Sequence, residues 1–320
     1  MKIVLCPPVS DALCEQVRQT APGAEVVTAS MDDAPEVVGD ADVIFGMYTE
    51  EIIRAAVKVR WIQTTSAGMD MLMEIPGVRE GRFRLSNASG LHALQVAEHA
   101  WALTAALFRG LHVAIRNQLA REWKGAPIRD LYGATAGIVG FGGIGRRYAW
   151  LARGFDMRIL AVDVQQSERP DFVDALWGTE RLEELLSESD VVFIACPYTP
   201  QTERLIDARA FRIMKNSAFL VNTARGPIVD EAALVDALGS AEIAGAGLDV
   251  FETEPLPADS PLWEMENVII TTHSAGASSY RPQRTIDFFC ENLKRFMAGE
   301  PLLNETDRNL GYPTLGRRVE

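Results

Sequence analysis

The 320-residue chain lacks paired cysteines, a basic balance and any apolar run able to cross a membrane, and each absence removes a class of function. Its four cysteines, Cys6, Cys14, Cys196 and Cys290, form no C-x-x-C pair and keep no zinc-type spacing with histidine. A disulfide framework and a zinc site are thereby set aside, and a reduced cytoplasmic protein is the expectation. Acidic residues outnumber basic ones by 44 to 31, for a formal charge of −13. Such a balance repels nucleic acids and anionic membranes at long range. A small anionic substrate remains compatible, because it needs only a few local cations. The longest apolar stretch, Ala93 to Phe108, carries Gln95, Glu98 and His99 and is too polar to span a bilayer. The N-terminal run Ile3-Val4-Leu5-Cys6 stops at Pro7-Pro8, which reads as a buried first strand instead of a signal peptide.

What is present describes an ordinary folded protein, 48% hydrophobic and 23% charged, with length enough for two domains. Short β-branched runs alternate with helical patterns, the mark of a parallel α/β fold. The first series of strands is expected at 2–6, 25–29, 42–47, 60–65 and 83–87, with a helix over 10–19 opened by Ser10. Residues 91–119 have few breakers except Gly110 and read as one or two long helices. A second series is expected at 135–139, 158–162, 191–196, 218–222, 243–248 and 268–271. Six strands complete a dinucleotide-binding sheet. The segment 278–297 is helical again, Gly299-Glu300-Pro301 ends it, and a polar, partly ordered tail follows.

Gly140-Phe141-Gly142-Gly143-Ile144-Gly145 is a G-x-G-x-x-G placed between the strand Ala136-Gly137-Ile138-Val139 and a helical run over 146–153. Gly140 permits the tight turn, Gly142 lets backbone amides approach a pyrophosphate, and Gly145 lets the helix pack on the strand. The helix N-terminus adds partial positive charge. The following strand ends in Asp163, placed to bond an adenosine ribose and repel a 2′-phosphate. Val164-Gln165-Gln166-Ser167 adds no cation, so NAD(H) is expected over NADP(H), with Arg169 the nearest opposing charge.

Three later segments sit at strand ends, where open α/β sheets bind ligands. They carry Arg225, then Asp249 and Glu254, then His273. Taken singly, each has an ordinary alternative: a surface arginine, a loop acid, a satisfied strand-end histidine.

Together with other motifs, these segments resemble the D-isomer-specific 2-hydroxyacid dehydrogenase family. The likeness runs through Trp61-Ile62-Gln63, Ser66-Ala67-Gly68-Met69-Asp70, Asn87-Ala88, Val96-Ala97-Glu98-His99 and the glycine turn. It continues through Ser189-Asp190-Val191-Val192, Cys196-Pro197, Thr199-Pro200-Gln201-Thr202, the segments 222–229 and 247–255, and His273. The resemblance implies two doubly wound parallel-sheet domains, a Rossmann NAD-binding domain (101–287) inserted into a flavodoxin-like substrate domain (1–100 with 288–320). It implies an oxidoreductase that interconverts a 2-oxo acid and its D-2-hydroxy acid. The catalytic set carried over is Arg225, Glu254 and His273. Arg225 would bind carboxylate and carbonyl, as a planar fork can and lysine cannot. His273 would exchange the proton, and Glu254 would favour its protonated form. Cofactor contacts would come from Gly140, Gly142, Gly143, Ile144, Gly145, Asp163, Cys196, Pro197, Thr202, Thr223, Ala224, Asp249 and Gly276. Substrate contacts would come from Ser66, Ala67 and Gly68 with Arg225. A homodimer is implied, with 91–119 as its interface, and no metal.

Two positions depart from the family pattern: Thr272 stands where proline is usual before the catalytic histidine, and Ser274 where a branched apolar residue is common. Glu98 and His99 are neighbours on a helix and point apart, which suggests packing or dimer contact. The motif Pro255-Leu256-Pro257 with Ser260-Pro261-Leu262-Trp263 is similar to glyoxylate and hydroxypyruvate reductases. Phosphite and formate dehydrogenases share the scaffold, although a formate enzyme normally has glutamine where Glu254 stands. The C-terminal binding protein corepressors, which sense NADH, are a further alternative, disfavoured by the short tail and the acidic balance. Specificity would depend on shape around Met47, Tyr48, Ser66 and Tyr280.

Overall fold

The computed structural model describes residues 1–165 and 168–313. The chain divides into two compact units, Met1–His92 with the segment from Ser278 onward, and Ala93–Ala277. The divisions expected at 100 and 287 fall inside the continuous helices Ala93–Phe108 and Arg281–Ala298; in the structure they fall just before each helix.

In the first unit, β1 (Lys2–Cys6), β2 (Glu25–Thr28), β3 (Val43–Gly46), β4 (Trp61–Thr64) and β5 (Arg84–Ser86) form one parallel sheet in the order β2-β1-β3-β4-β5. This is the flavodoxin-like order. The central strands are buried on both faces, so they read as continuous apolar runs. Alternate residues serve opposite layers. Ile3, Leu5, Val43, Phe45 and Trp61 pack with Phe289 and Leu293 of the last helix. Val4, Ile44 and Ile62 pack with Ile52, Ile53 and Val78 on the other side. A buried polar chain ties the returning helix to the sheet: the Trp61 indole donates to Ser86 Oγ (2.8 Å), Ser86 Oγ donates to Gln63 Oε1 (2.7 Å), and Asn292 Nδ2 donates to the same Gln63 oxygen (3.0 Å). The helix Asp11–Thr20 begins after Ser10, whose backbone is extended but whose side chain makes no capping bond. The tail of the described chain is ordered as a ribbon pairing Thr306–Asp307 with Tyr312–Pro313; residues 314–320 lie outside the described residues.

In the second unit, β6 (Thr135–Val139), β7 (Arg158–Val162), β8 (Ala175–Trp177), β9 (Val191–Ile194), β10 (Phe219–Asn222), β11 (Gly245–Leu248) and β12 (Val268–Ile270) form a parallel sheet ordered β12-β11-β10-β9-β6-β7-β8. Read from β6, this is the Rossmann order with one strand added. Six strands were expected and seven are present. The unexpected one, β8, is a three-residue edge strand, half-buried throughout, too short to show a period. Residues 91–119 resolve into two helices, Ala93–Phe108 and Leu111–Ala120, parted at Gly110, whose φ of +64° favours glycine. Glycine in β11 lets the first of these helices close on the sheet: a Cβ on Gly247 would lie 3.0 Å from Leu103 Cβ. Among the described residues no helix is long and apolar enough to cross a membrane.

Candidate active site

All seven strands of the second unit run the same way, so their C-terminal ends share one edge of the sheet. That edge gathers the glycine turn after β6, Asp163 after β7, Cys196-Pro197 after β9, Thr223-Ala224-Arg225 after β10, Asp249 after β11 and Thr271–His273 after β12.

The glycine turn is shaped for close approach. Gly140 has φ +98°, and a Cβ there would stand 2.5 Å from the Cys196 amide nitrogen. A Cβ on Gly145 would overlap the Gly140 carbonyl. Gly142 precedes the helix Gly143–Arg153 and, as a glycine, brings no side chain to cap it, so the helix N-terminus suits an anion. Asp163 is fixed from two sides: Oδ2 accepts from the Phe141 amide (2.6 Å) and Oδ1 from the Gln165 amide (2.7 Å). Each oxygen keeps a second acceptor position for a hydroxyl. Gln166 and Ser167, read from sequence as adding no cation beside Asp163, lie outside the described residues. Arg169 donates to the Val173 carbonyl. Arg146, which the sequence reading passed over, lies 4.9 Å from the Phe141 ring and donates to the Glu168 carbonyl (3.2 Å).

Further along the edge, Thr223 is 8% exposed and its buried hydroxyl oxygen has no hydrogen-bond partner among the described residues. A buried orphan of this kind calls for a polar ligand group. The residues therefore fit a dinucleotide at both ends of this edge. Thr202 donates to the Pro197 carbonyl (2.8 Å) and accepts from the Thr199 amide (2.8 Å), which ties down the loop after β9. Burial, with the Asp163 carboxylate adding to it, pushes the Cys196 thiol up to about 12; it is a neutral neighbour and no redox thiolate. A Cβ on Gly276 would meet open space.

Arg225 is extended (φ −145°, ψ 141°) and opens the tight turn Gly226–Ile228. Asn222 shapes this bend: its Nδ2 donates to the Arg225 carbonyl (3.0 Å) and its Oδ1 accepts from the Ala224 amide (3.0 Å). Nη1 of Arg225 donates to the Ala224 carbonyl (2.8 Å). A Cβ on Gly226 would overlap the Phe251 backbone, so glycine is what lets this bend lie against the segment leading to Glu254. There, Glu254 Oε2 and His273 Nδ1 are 2.6 Å apart, and Oε1 accepts from the Phe251 amide (3.1 Å). A carboxylate only accepts, so Nδ1 is the donor and Nε2 is left for chemistry. The His273 side chain is 47% exposed.

Asp249 is different from its neighbours. Its side chain is 1% exposed. Oδ1 accepts from Thr271 Oγ1 (2.5 Å) and the Ser274 amide (2.9 Å), and Oδ2 accepts from the Ala275 amide (2.9 Å). One acceptor position on Oδ2 remains. Thr271 was missed from sequence, where a threonine at a strand end carries no distinguishing signal. His99 was expected in packing or dimer contact; its Nε2 is 2.9 Å from Thr271 Oγ1.

In the first unit, Ser66, Ala67 and Gly68 follow β4. The Ser66 carbonyl accepts from the Ala88 amide (2.9 Å) and the Ala67 carbonyl from Asn87 Nδ2 (2.9 Å). The motif residues Asn87-Ala88 thus pin this loop.

Residues 101–275 match the family described as D-isomer specific 2-hydroxyacid dehydrogenase, NAD binding domain. A glyoxylate reductase from Korarchaeum cryptofilum (strain OPF8) is 40% identical over 288 residues, spanning 84% of this chain and 86% of that protein. The chain belongs to the D-isomer specific 2-hydroxyacid dehydrogenase family. A solved structure of a family member from Aeromonas salmonicida subsp. salmonicida A449 covers 96% of this chain and 99% of its own, with a TM-score of 0.85 and 31% identity. Another, from Xanthobacter autotrophicus Py2 in complex with NADPH and MES, covers 97% and 99%, with a TM-score of 0.84 and 26% identity. This 2-hydroxyacid dehydrogenase is an oxidoreductase of the NAD(P)-dependent class. It has the fold expected from sequence: a Rossmann sheet interrupting a flavodoxin-like one.

Proposed function

We propose that this dehydrogenase reduces a small 2-oxo acid of the glyoxylate or hydroxypyruvate type to its D-2-hydroxy acid, with NADH preferred. The observation that carries the reading is the 2.6 Å Glu254–His273 pair, on the same sheet edge as Arg225. When bound, the nicotinamide cofactor supplies the hydride. Arg225 presents a planar fork of donors, suited to holding the substrate carboxylate while polarising the adjacent carbonyl. His273, donating through Nδ1 to Glu254, gives the proton at Nε2 to the oxygen that becomes the alcohol. Asp249 has one acceptor position left for an amide donor, and the Thr223 hydroxyl has no partner among the described residues; both suit a carboxamide. The amides of Ala67 and Gly68 make no hydrogen bond to another described residue, which leaves this loop, with Ser66, suited to an anionic group. The Korarchaeum relative, named a glyoxylate reductase, supports the substrate class.

Asp163, anchored with acceptor positions to spare, favours NADH by repelling a 2′-phosphate. NADPH is the second reading. Arg146 lies against Phe141, whose amide bonds Asp163, and the Xanthobacter structure holds NADPH. We also assign a cytoplasmic homodimer, on the four free thiols and on the exposed stripe Leu111, Ile115 and Leu119 of the second long helix.

The test is oxidation of NADH and of NADPH by purified protein over a panel of 2-oxo acids. Turnover of glyoxylate or hydroxypyruvate, faster with NADH, is expected. Faster turnover with NADPH would overturn the role given to Asp163, and no turnover on any acid would overturn the substrate class.

A further inference from the structure

The helix Ala93–Phe108 brings His99 against the ends of β11 and β12. Its Nε2 is 2.9 Å from Thr271 Oγ1 and 3.6 Å from Asp249 Oδ1, and Thr271 Oγ1 is 2.5 Å from Asp249 Oδ1. Donor and acceptor capacity sets the direction of this chain. The Asp249 oxygens accept from the Ser274 and Ala275 amides and, as a carboxylate, have no proton to give. The single Thr271 proton therefore points at Oδ1. The Thr271 oxygen is left an acceptor, so the proton between it and the imidazole resides on His99 Nε2.

We propose that His99 is a positioning residue for the reaction: through Thr271 it holds the Asp249 carboxylate, and Asp249 holds the backbone that presents His273. The second half of that relay is complete on both sides of the catalytic histidine. The His273 amide donates to the Asp249 carbonyl (2.8 Å), and the next two amides donate to the Asp249 carboxylate (2.9 Å each). His273 itself has φ +50°, a left-handed conformation that a non-glycine side chain keeps only when its surroundings over-determine it. Asp249 is the element that does so, and at 1% exposure water does not replace a lost partner. The Thr271 hydroxyl contributes one of the two bonds on Oδ1, and His99 orients that hydroxyl. Misplacing a proton donor by a fraction of an ångström is enough to slow a transfer tenfold or more, because proximity effects are steep.

The inference rests on the reading of His273 as the proton donor, and its test has an arm that does not. The chain holds four histidines, so nitrogen-15 NMR of the protein without cofactor can follow each imidazole. His99 is expected as the Nε2–H tautomer, with its signals displaced in Thr271→Val. A Nδ1–H tautomer at His99, or signals indifferent to Thr271→Val, overturns the relay whatever the enzyme reduces. In the kinetic arm, His99→Leu and Thr271→Val are each expected to lower kcat by roughly tenfold to a hundredfold, the scale of small misplacements. NADH dissociation, followed by fluorescence, changes by less than kcat does. His99→Gln, which keeps a donor near the Nε2 position, restores most of kcat. The double variant His99→Leu/Thr271→Val is no slower than the worse single, because both cut one chain. Native kcat in His99→Leu, or a Gln variant no better than Leu, overturns the proposal. Absence of 2-oxo acid turnover by the unaltered protein defeats the functional reading and leaves the NMR arm to decide the relay.

Discussion

Arg225→Ala is expected to lower kcat/KM for 2-oxo acid reduction by about three orders of magnitude while NADH affinity stays within about twofold. The size follows from what the side chain is assigned to do. Charge-assisted hydrogen bonds contribute about 1.5–3 kcal/mol each, and loss of a donor to a developing oxyanion costs about 2.7–4 kcal/mol. With each 1.36 kcal/mol worth about tenfold in rate, the larger of these alone gives roughly a thousandfold. The side chain donates from Nη1 to the Ala224 carbonyl (2.8 Å), but much of what shapes the backbone here lies elsewhere. The backbone is extended, its carbonyl is held by Asn222 (3.0 Å), and the close approach to Phe251 belongs to Gly226. Thermal stability should therefore move little. Arg225→Lys is expected to recover only a small part, because an ammonium is a point charge and cannot span a carboxylate and its neighbouring carbonyl. Steady-state kinetics beside a fluorescence titration of NADH separate the two effects. Native turnover in Arg225→Ala would remove Arg225 from the site.

The features that were legible in the sequence are those whose cause is local. Runs such as Ile3-Val4-Leu5 and Val191-Val192-Phe193-Ile194 are apolar because both faces of their strands are buried, and every strand expected in either unit is present. The glycine turn was legible because only glycine fits where Gly140 meets the Cys196 amide. The strand β8 was not, since Ala175–Trp177 is short and only half-buried at the sheet edge. The residues Arg225, Glu254 and His273 had ordinary alternatives one by one, and became a set only through resemblance to a family. Hydrogen bonds between distant residues left no trace at all. Thr271 is chosen by His99, 172 positions away, and Gln63 by Asn292, 229 positions away. Nothing in the neighbourhood of any of the four residues announces its partner, because the meeting is made by the packing of helices on sheets.

Removal of the proton donor should leave substrate and cofactor in place and stop the chemistry. His273→Asn is expected to lower kcat for reduction by roughly a hundredfold to ten-thousandfold, the range of general acid catalysis, with KM for the 2-oxo acid changed far less. Asparagine is the informative replacement because the position has φ +50°, which asparagine tolerates better than most residues; alanine would confound lost chemistry with a strained backbone. Glu254→Gln tests the other half of the pair. Glutamine keeps an oxygen to accept from the Phe251 amide (3.1 Å), but it removes the negative charge 2.6 Å from Nδ1. A charge-assisted hydrogen bond is roughly twice as strong as a neutral one, so the amide orients the imidazole less firmly. Glu254→Gln is therefore expected to lower kcat by roughly tenfold, the scale of a small misplacement, with KM for the 2-oxo acid changed far less. The double variant His273→Asn/Glu254→Gln should be no slower than His273→Asn alone, because Glu254 acts through the imidazole. Steady-state kinetics of the two single variants and the double variant check this. Native kcat in Glu254→Gln, or full additivity in the double variant, would separate Glu254 from His273 and leave the 2.6 Å contact without a part in catalysis.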